Sequence, residues 1–189
     1  MALPKNLKVS RDAVAQLRNQ LRQLAELEVL VGFPEDSSAR EENPGEPEIT
    51  NAALGYIHDN GDPDSGIPQR EFMKPAMVEV QEPVTNMLMG LARGVLISRG
   101  TDVEAGLNRI GMKVELAIKK KINEGVPPPL ADATLRNRAR RGRQGAMWEL
   151  AWRKAGAPPG VDGLAKPLVD TAQMRNAVKY VVRKRKARK

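Results

Sequence analysis

Residues 51–77 read NAALGYIHDNGDPDSGIPQREFMKPAM, and this stretch decides how the rest of the chain is read. Thr50 precedes it as a helix cap, and Ala53, Leu54 and Ile57 give a short helix one apolar side. Asn60-Gly61 is a stop, because both residues accept a left-handed backbone. Asp59, Asp62 and Asp64 suit a turn, where carboxylates accept hydrogen bonds from nearby backbone N–H groups. IPQREFM then reads as extended, since Pro68 resists helix and Phe72 seeks burial. Alternation turns Arg70 the other way, toward a carboxylate or a neighbouring copy. Pro75 is expected at the first position of a following helix. The stretch is therefore a corner joining a helix, an extended segment and a second helix.

The same residues include the chain's single histidine, His58, among carboxylates, which raises a metal or catalytic reading. A Ca²⁺ loop needs a Glu at its twelfth position; counting from Asp59 gives Arg70 there, and from Asp62 gives Met73. One histidine is a poor start for a zinc site, and there is no cysteine to supply thiolates or a disulfide. GDPDSG lacks the Gly-Lys-Ser/Thr ending of a phosphate loop, and no Gly-x-Ser-x-Gly is present. Aromatic residues make up 3%, few for the platforms of a glycan cleft. The expectation is a structural corner flanked by His58, with no catalytic residue, metal or cofactor assigned.

Outward from the corner, Ser10 can cap a helix to about Glu26 with Val14, Leu17, Leu21 and Leu24 as its stripe. EVLVGF alternates as a strand with Val29, Val31 and Phe33 on one face, and Pro34 ends it. After Pro75, Met77, Val80, Val84, Met87, Leu91 and Val95 repeat at helical spacing, with Pro83 expected to kink or divide the helix. Thr101 and Glu104 suggest a capping box for a helix striped by Val103, Leu107, Ile110, Val114, Ile118 and Ile122. Gly125 and three prolines close it. Short helices are expected near 132–141 and 145–155, a Gly/Pro loop after them, and a strand at NAVKYVV. Trp148 and Trp152 are expected to pack their helix onto the body rather than stack on bases.

The pattern predicts an α+β class: a small, mostly antiparallel sheet packed against long amphipathic helices. It fits a single domain over residues 1–189, with an exposed acidic loop at 35–48 and a basic C-terminal tail at 183–189. No apolar run is long enough for a membrane span, and the N-terminus lacks the apolar middle of a secretory signal.

Net charge is +8, unevenly placed. Residues 34–82 hold twelve acids and three bases; residues 134–189 hold sixteen bases and three acids. Such polarity offers two complementary surfaces for partners, and head-to-tail contacts between unlike surfaces form rings only when the rotation closes. Candidate subunit contacts are Glu41, Glu42 and Glu46 on the acidic side, with Arg70, Arg138, Arg140, Arg141, Arg183 and Arg185 on the basic side. Lys184, Lys186, Arg188 and Lys189 are candidates for DNA contact.

Four pieces stand in a definite order: EVLVGFPE, the 51–77 stretch, INEGVPPPLADATLRNR and KPLVDTAQMRNAVKYVV. This order resembles the neck and tail-completion proteins of long-tailed bacteriophages. In that family a Val-Gly-Phe/Ile-Pro strand precedes a helix ending in a Gly turn. An Ile-Pro-x-Arg-Pro-Phe segment, a helix near Pro-Ala and a closing Pro-Leu-x-Asp-Thr-Gly before a strand follow. The likeness covers about residues 28–182; Glu71 stands in place of the family's proline and Ala172 in place of its glycine. Ala172 argues against a left-handed backbone at that turn. The corresponding structural anchors are Phe33, Asn60, Gly61, Pro68, Phe72, Pro75, Pro167 and Thr171.

The resemblance implies a non-enzymatic virion protein, made in the host cytoplasm and placed at the head–tail junction. It would be a homo-oligomer, a hexameric ring, meeting head connector proteins and tail tube or sheath proteins, with DNA passing through the lumen. The alternative is an accessory protein that binds DNA without reading sequence, through Arg136–Arg143 and Lys179–Lys189.

Overall fold

Two long helices carry the architecture of the chain, whose computed structural model describes residues 11–39, 49–97, 100–160 and 163–185. In order the elements are α1 (Arg11–Glu26), β1 (Leu27–Gly32), α2 (Glu35–Ser38), α3 (Asn51–Asn60), α4 (Met73–Ile97) and α5 (Val103–Glu124). Then come α6 (Asp132–Arg140), α7 (Gln144–Lys154), α8 (Gln173–Ala177) and β2 (Lys179–Lys184). The fold is α+β and mostly helical, with one two-stranded antiparallel sheet lying on α5. No helix among the described residues is long and apolar enough to cross a membrane.

The apolar stripe of α5 is the spine. All six of its expected core positions are buried, and they divide between two clusters. Val114, Ile118 and Ile122 pack with Phe72, Ala76, Met174 and Val178; Val103, Leu107 and Ile110 pack with Leu91 and Val95 of α4. Asp102, not Thr101, caps α5: its carboxylate accepts from the Ala105 N–H at 2.9 Å. The Thr101 carbonyl instead accepts from Gln20 of α1. Gly111 lets β2 lie close against α5, since a Cβ there would run into the Tyr180 ring.

The sheet pairs Glu28 with Arg183, Leu30 with Val181 and Val31 with Tyr180. Val29, Val31, Tyr180 and Val182 lie on the more buried side, as the period of two requires, while Leu30 and Val181 face out. Glu115 of α5 accepts from the Tyr180 N–H at 3.0 Å, which fixes where β2 begins. Asn176 and Ala177, expected in the strand, close α8 instead.

Several expectations are corrected by helical phase. In α4 the inward line is Ala76, Val80, Val84, Met87, Leu91 and Val95; Met77 lies one residue out of phase and is exposed. Likewise Leu17 and Leu24 of α1 face the core while Val14 and Leu21 face water. Pro83 does not divide α4, which runs on for 25 residues. Pro83 is itself exposed, so the carbonyl it leaves without a helical partner lies on the solvent side. The helix starts at Met73, making Pro75 its third residue, where a missing N–H still leaves no helical bond unmade. Residues 35–38, expected in an exposed loop, form a helical turn with Ser38 buried, its hydroxyl accepting from the Ala52 N–H.

A helical hairpin, α6 and α7, forms a small core of its own from Leu130, Leu135, Ala146 and Ala165, with Ala139 and Leu150 against it. Salt bridges also tie α4 to α5, through Glu79 and Lys120 at 2.6 Å. The remainder of the expected acidic loop, including Glu41, Glu42 and Glu46, lies outside the described residues, as do Ser10, Lys186, Arg188 and Lys189.

Candidate functional site

The corner at 56–73 is held by a few buried polar contacts. Helix α3 ends where expected: Thr50 caps its start and Gly61, at φ 80°, ends it with an N–H to the Ile57 carbonyl at 2.7 Å. A Cβ on Gly61 would also come within 2.9 Å of the Gln69 nitrogen, so both conformation and space call for glycine. Asp62 and Ile67 pair through both backbone groups, closing the loop between them. Asp59 reaches across thirteen residues, where its Oδ1 accepts from the Phe72 and Met73 N–H groups at 2.8 and 3.0 Å. A carboxylate thus sits on the positive end of α4 and satisfies N–H groups that have no helical acceptor. Phe72 is fully buried beside Ala76 and Ile118.

Arg70 departs from its expected place. It is buried, as is Phe72 two residues on, because alternation returns side chains two apart to one face. Its Nε and Nη2 donate to the carbonyls of Pro128 and Pro129 at 3.1 and 3.3 Å. A run of prolines has carbonyls but no N–H groups of its own to bond, and the guanidinium supplies donors in a planar fork. Burial pushes the Arg70 guanidinium below its usual pKa. Arg70 therefore ties the corner to the segment leading into the hairpin.

Arg138 does the matching work on the other side. Its Nη1 donates to the carbonyls of Lys166 and Val169 at 2.9 and 3.1 Å. Burial pushes its pKa down, and Asp170 opposes that shift. Asp170 accepts from Arg141 Nη2 and Arg143 Nε, both at 3.0 Å. The expected basic cluster is therefore largely an internal clasp around the 166–172 segment. That segment turns sharply, with left-handed backbones at Leu168 (φ 62°) and Ala172 (φ 60°). The left-handed turn persists without glycine, contrary to expectation; Pro167 is fully buried and Leu168 is in the main core, which anchors the strained residues. Arg138, Arg141, His58 and Thr171 line a pocket of about 200 Å³ beside this turn.

The other anchors and contacts sort as follows. Phe33 is half-buried against the main core, Pro75 is half-buried, and Thr171 accepts from the Gln173 N–H. Asn60 and Pro68 are exposed, shaping the backbone rather than filling space. Arg183 and Arg185 both approach Glu28 on the neighbouring strand, at 3.1 and 3.9 Å. Arg140 and Lys184 are exposed. Among the described residues no group of three or more His, Asp or Glu side chains is arranged to hold a metal.

The largest surprise is α7. Its inner face is Ala146, Glu149, Leu150 and Arg153, spaced as one helical side; Trp148 and Trp152 fall opposite and are 59% and 58% exposed. The expected packing of the indoles onto the body is overturned. Below them, Arg153 donates to Glu149 at 3.1 Å, to the Leu130 carbonyl and to Asp132. The phase of Arg138 with Leu135, and of Arg153 with Ala146 and Leu150, was the signal that these arginines lie inward. Other apolar side chains also face water: Tyr56, Met77, Val78, Leu96, Ile97 and Leu116.

No known family, curated protein or solved structure was found to match this chain.

Proposed function

We propose that this chain is an architectural subunit of a tailed-bacteriophage virion. Copies form a ring at the head–tail junction that joins the tail to the head connector and lets DNA pass. The observation that carries this reading is the surface. The chain closes three apolar cores, yet it leaves large apolar side chains exposed on α3, α4, α5 and α7, Ile97 to 82% and Tyr56 to 71%. Exposed apolar surface spread over several elements suits a subunit with neighbours on more than one side. The order of the four sequence pieces supports the phage assignment, and the corner and clasp give the subunit a fixed shape for presenting those surfaces.

The rival is sequence-independent DNA binding. It is weakened because Arg138 is held by backbone carbonyls and Arg141 and Arg143 by Asp170. Sedimentation of the full chain beside a gel shift on random duplex DNA separates the two. A ring-sized particle with weak DNA affinity is expected, loosening as salt rises. A monomer that binds duplex tightly with a steep salt slope would replace this reading with the rival.

A further inference from the structure

Resting on the ring reading, we infer that the indole face of α7 seats in an apolar groove on α4 of the next copy. Trp148 and Trp152 project one turn apart, with the exposed Met147 beside them. The only acid of α7, Glu149, is buried under Arg153, so this face presents no negative charge. Exposed Arg140 and Lys154 belong to the same hairpin. Aromatic side chains with Met and Arg are the composition of interface centres.

The groove is open in the same molecule. It measures about 490 Å³ and is lined by Met73, Met77, Val78 and Val84, with Asp59 and Lys74 among its polar members. Methionines adapt to the shape of an inserted ring. Exposed Glu82 lies farther along the helix and complements the cations of the hairpin. Among the described residues neither surface is covered, and the complementary charges beside them fit a contact with another copy. Knob and groove are different surfaces, so a single contact of this kind is head-to-tail, and it makes a ring where the rotation between copies closes. Each indole is already partly covered, at 59% and 58% exposed, so docking removes at most about 150 Å² from each.

The chain holds two tryptophans, both on this face, and no cysteine, which makes the test direct. Intrinsic fluorescence of the full chain is followed through a concentration series alongside sedimentation. In parallel, Ala151→Cys and Gln81→Cys variants, both at exposed positions, are mixed under mild oxidation. Emission should move to shorter wavelength as oligomers form, and the mixture should give cross-linked dimer well above either variant alone. Trp152→Ala should weaken self-association roughly thirtyfold, the ~2 kcal/mol of a hot-spot side chain. Oligomers whose tryptophans emit as in the monomer, with no mixed cross-link, would overturn this contact and leave the ring standing. A chain that stays monomeric at every concentration would remove both.

Discussion

Phe72, Arg70 and Arg138 show how few side chains fix the geometry. Phe72 is fully buried where α4, α5 and the last segment of the chain meet, so Phe72→Ala should lower stability by about 3–5 kcal/mol, measured by denaturant unfolding. A loss under about 1 kcal/mol would mean that Phe72 is not a core residue. Arg138 behaves differently. Arg138→Met keeps much of the volume but strips two part-buried carbonyls of their donor, and should cost about 1–3 kcal/mol. Arg138→Lys should recover only part of that, because an ammonium lacks the planar fork. Full recovery by lysine would show that charge alone matters at this position. The sequence made Phe72 legible, since an aromatic between a turn and a helix has few places to go. It hid the buried Arg70 and Arg138, because charged side chains ordinarily face water; the two-residue spacing of Arg70 from Phe72 and the three-residue spacing of Arg138 from Leu135 were the marks of an inward position.

At the scale of elements, α4 and α5 were readable because their stripes are long, and α5 was readable residue by residue. The sheet was readable from its alternation. What failed was short-range detail: a cap one residue along, a helix start two residues early, and a strand start delayed by α8. Each of these depends on a side-chain contact made elsewhere in the chain, such as Asp59 on the α4 terminus or Glu115 on Tyr180. The hairpin tryptophans were misread because size suggests burial, whereas the packed face of α7 is built from smaller and charged residues. The Glu79–Lys120 bridge between the long helices makes a pH prediction. The bond to Lys120 holds Glu79 below the usual carboxylate pKa, so the folded chain favours the ionised form. Its contribution is present at neutral pH, fades as pH falls past the unfolded carboxylate value, and is gone below the lowered folded value. The melting temperature of Glu79→Gln should therefore lie slightly below that of the parent at pH 7 and converge with it in acid. A difference that is constant with pH would assign the effect to something other than this bridge.

At the scale of the whole molecule, the proposed ring requires each subunit to present edges to copies of itself. The α+β framework and the position of the corner were legible in the sequence, whereas the surfaces that the proposed assembly would use emerged only from which apolar residues the three cores leave uncovered. In the proposed ring, the acidic excess of residues 34–82 and the basic excess of residues 134–189 would attract between copies, and screening should make assembly sensitive to ionic strength. The most direct test is negative-stain imaging of the purified full chain at low salt over a range of concentrations. Closed rings of uniform diameter with an open centre are predicted. Isolated single subunits at every concentration, showing no tendency to associate, would contradict the account.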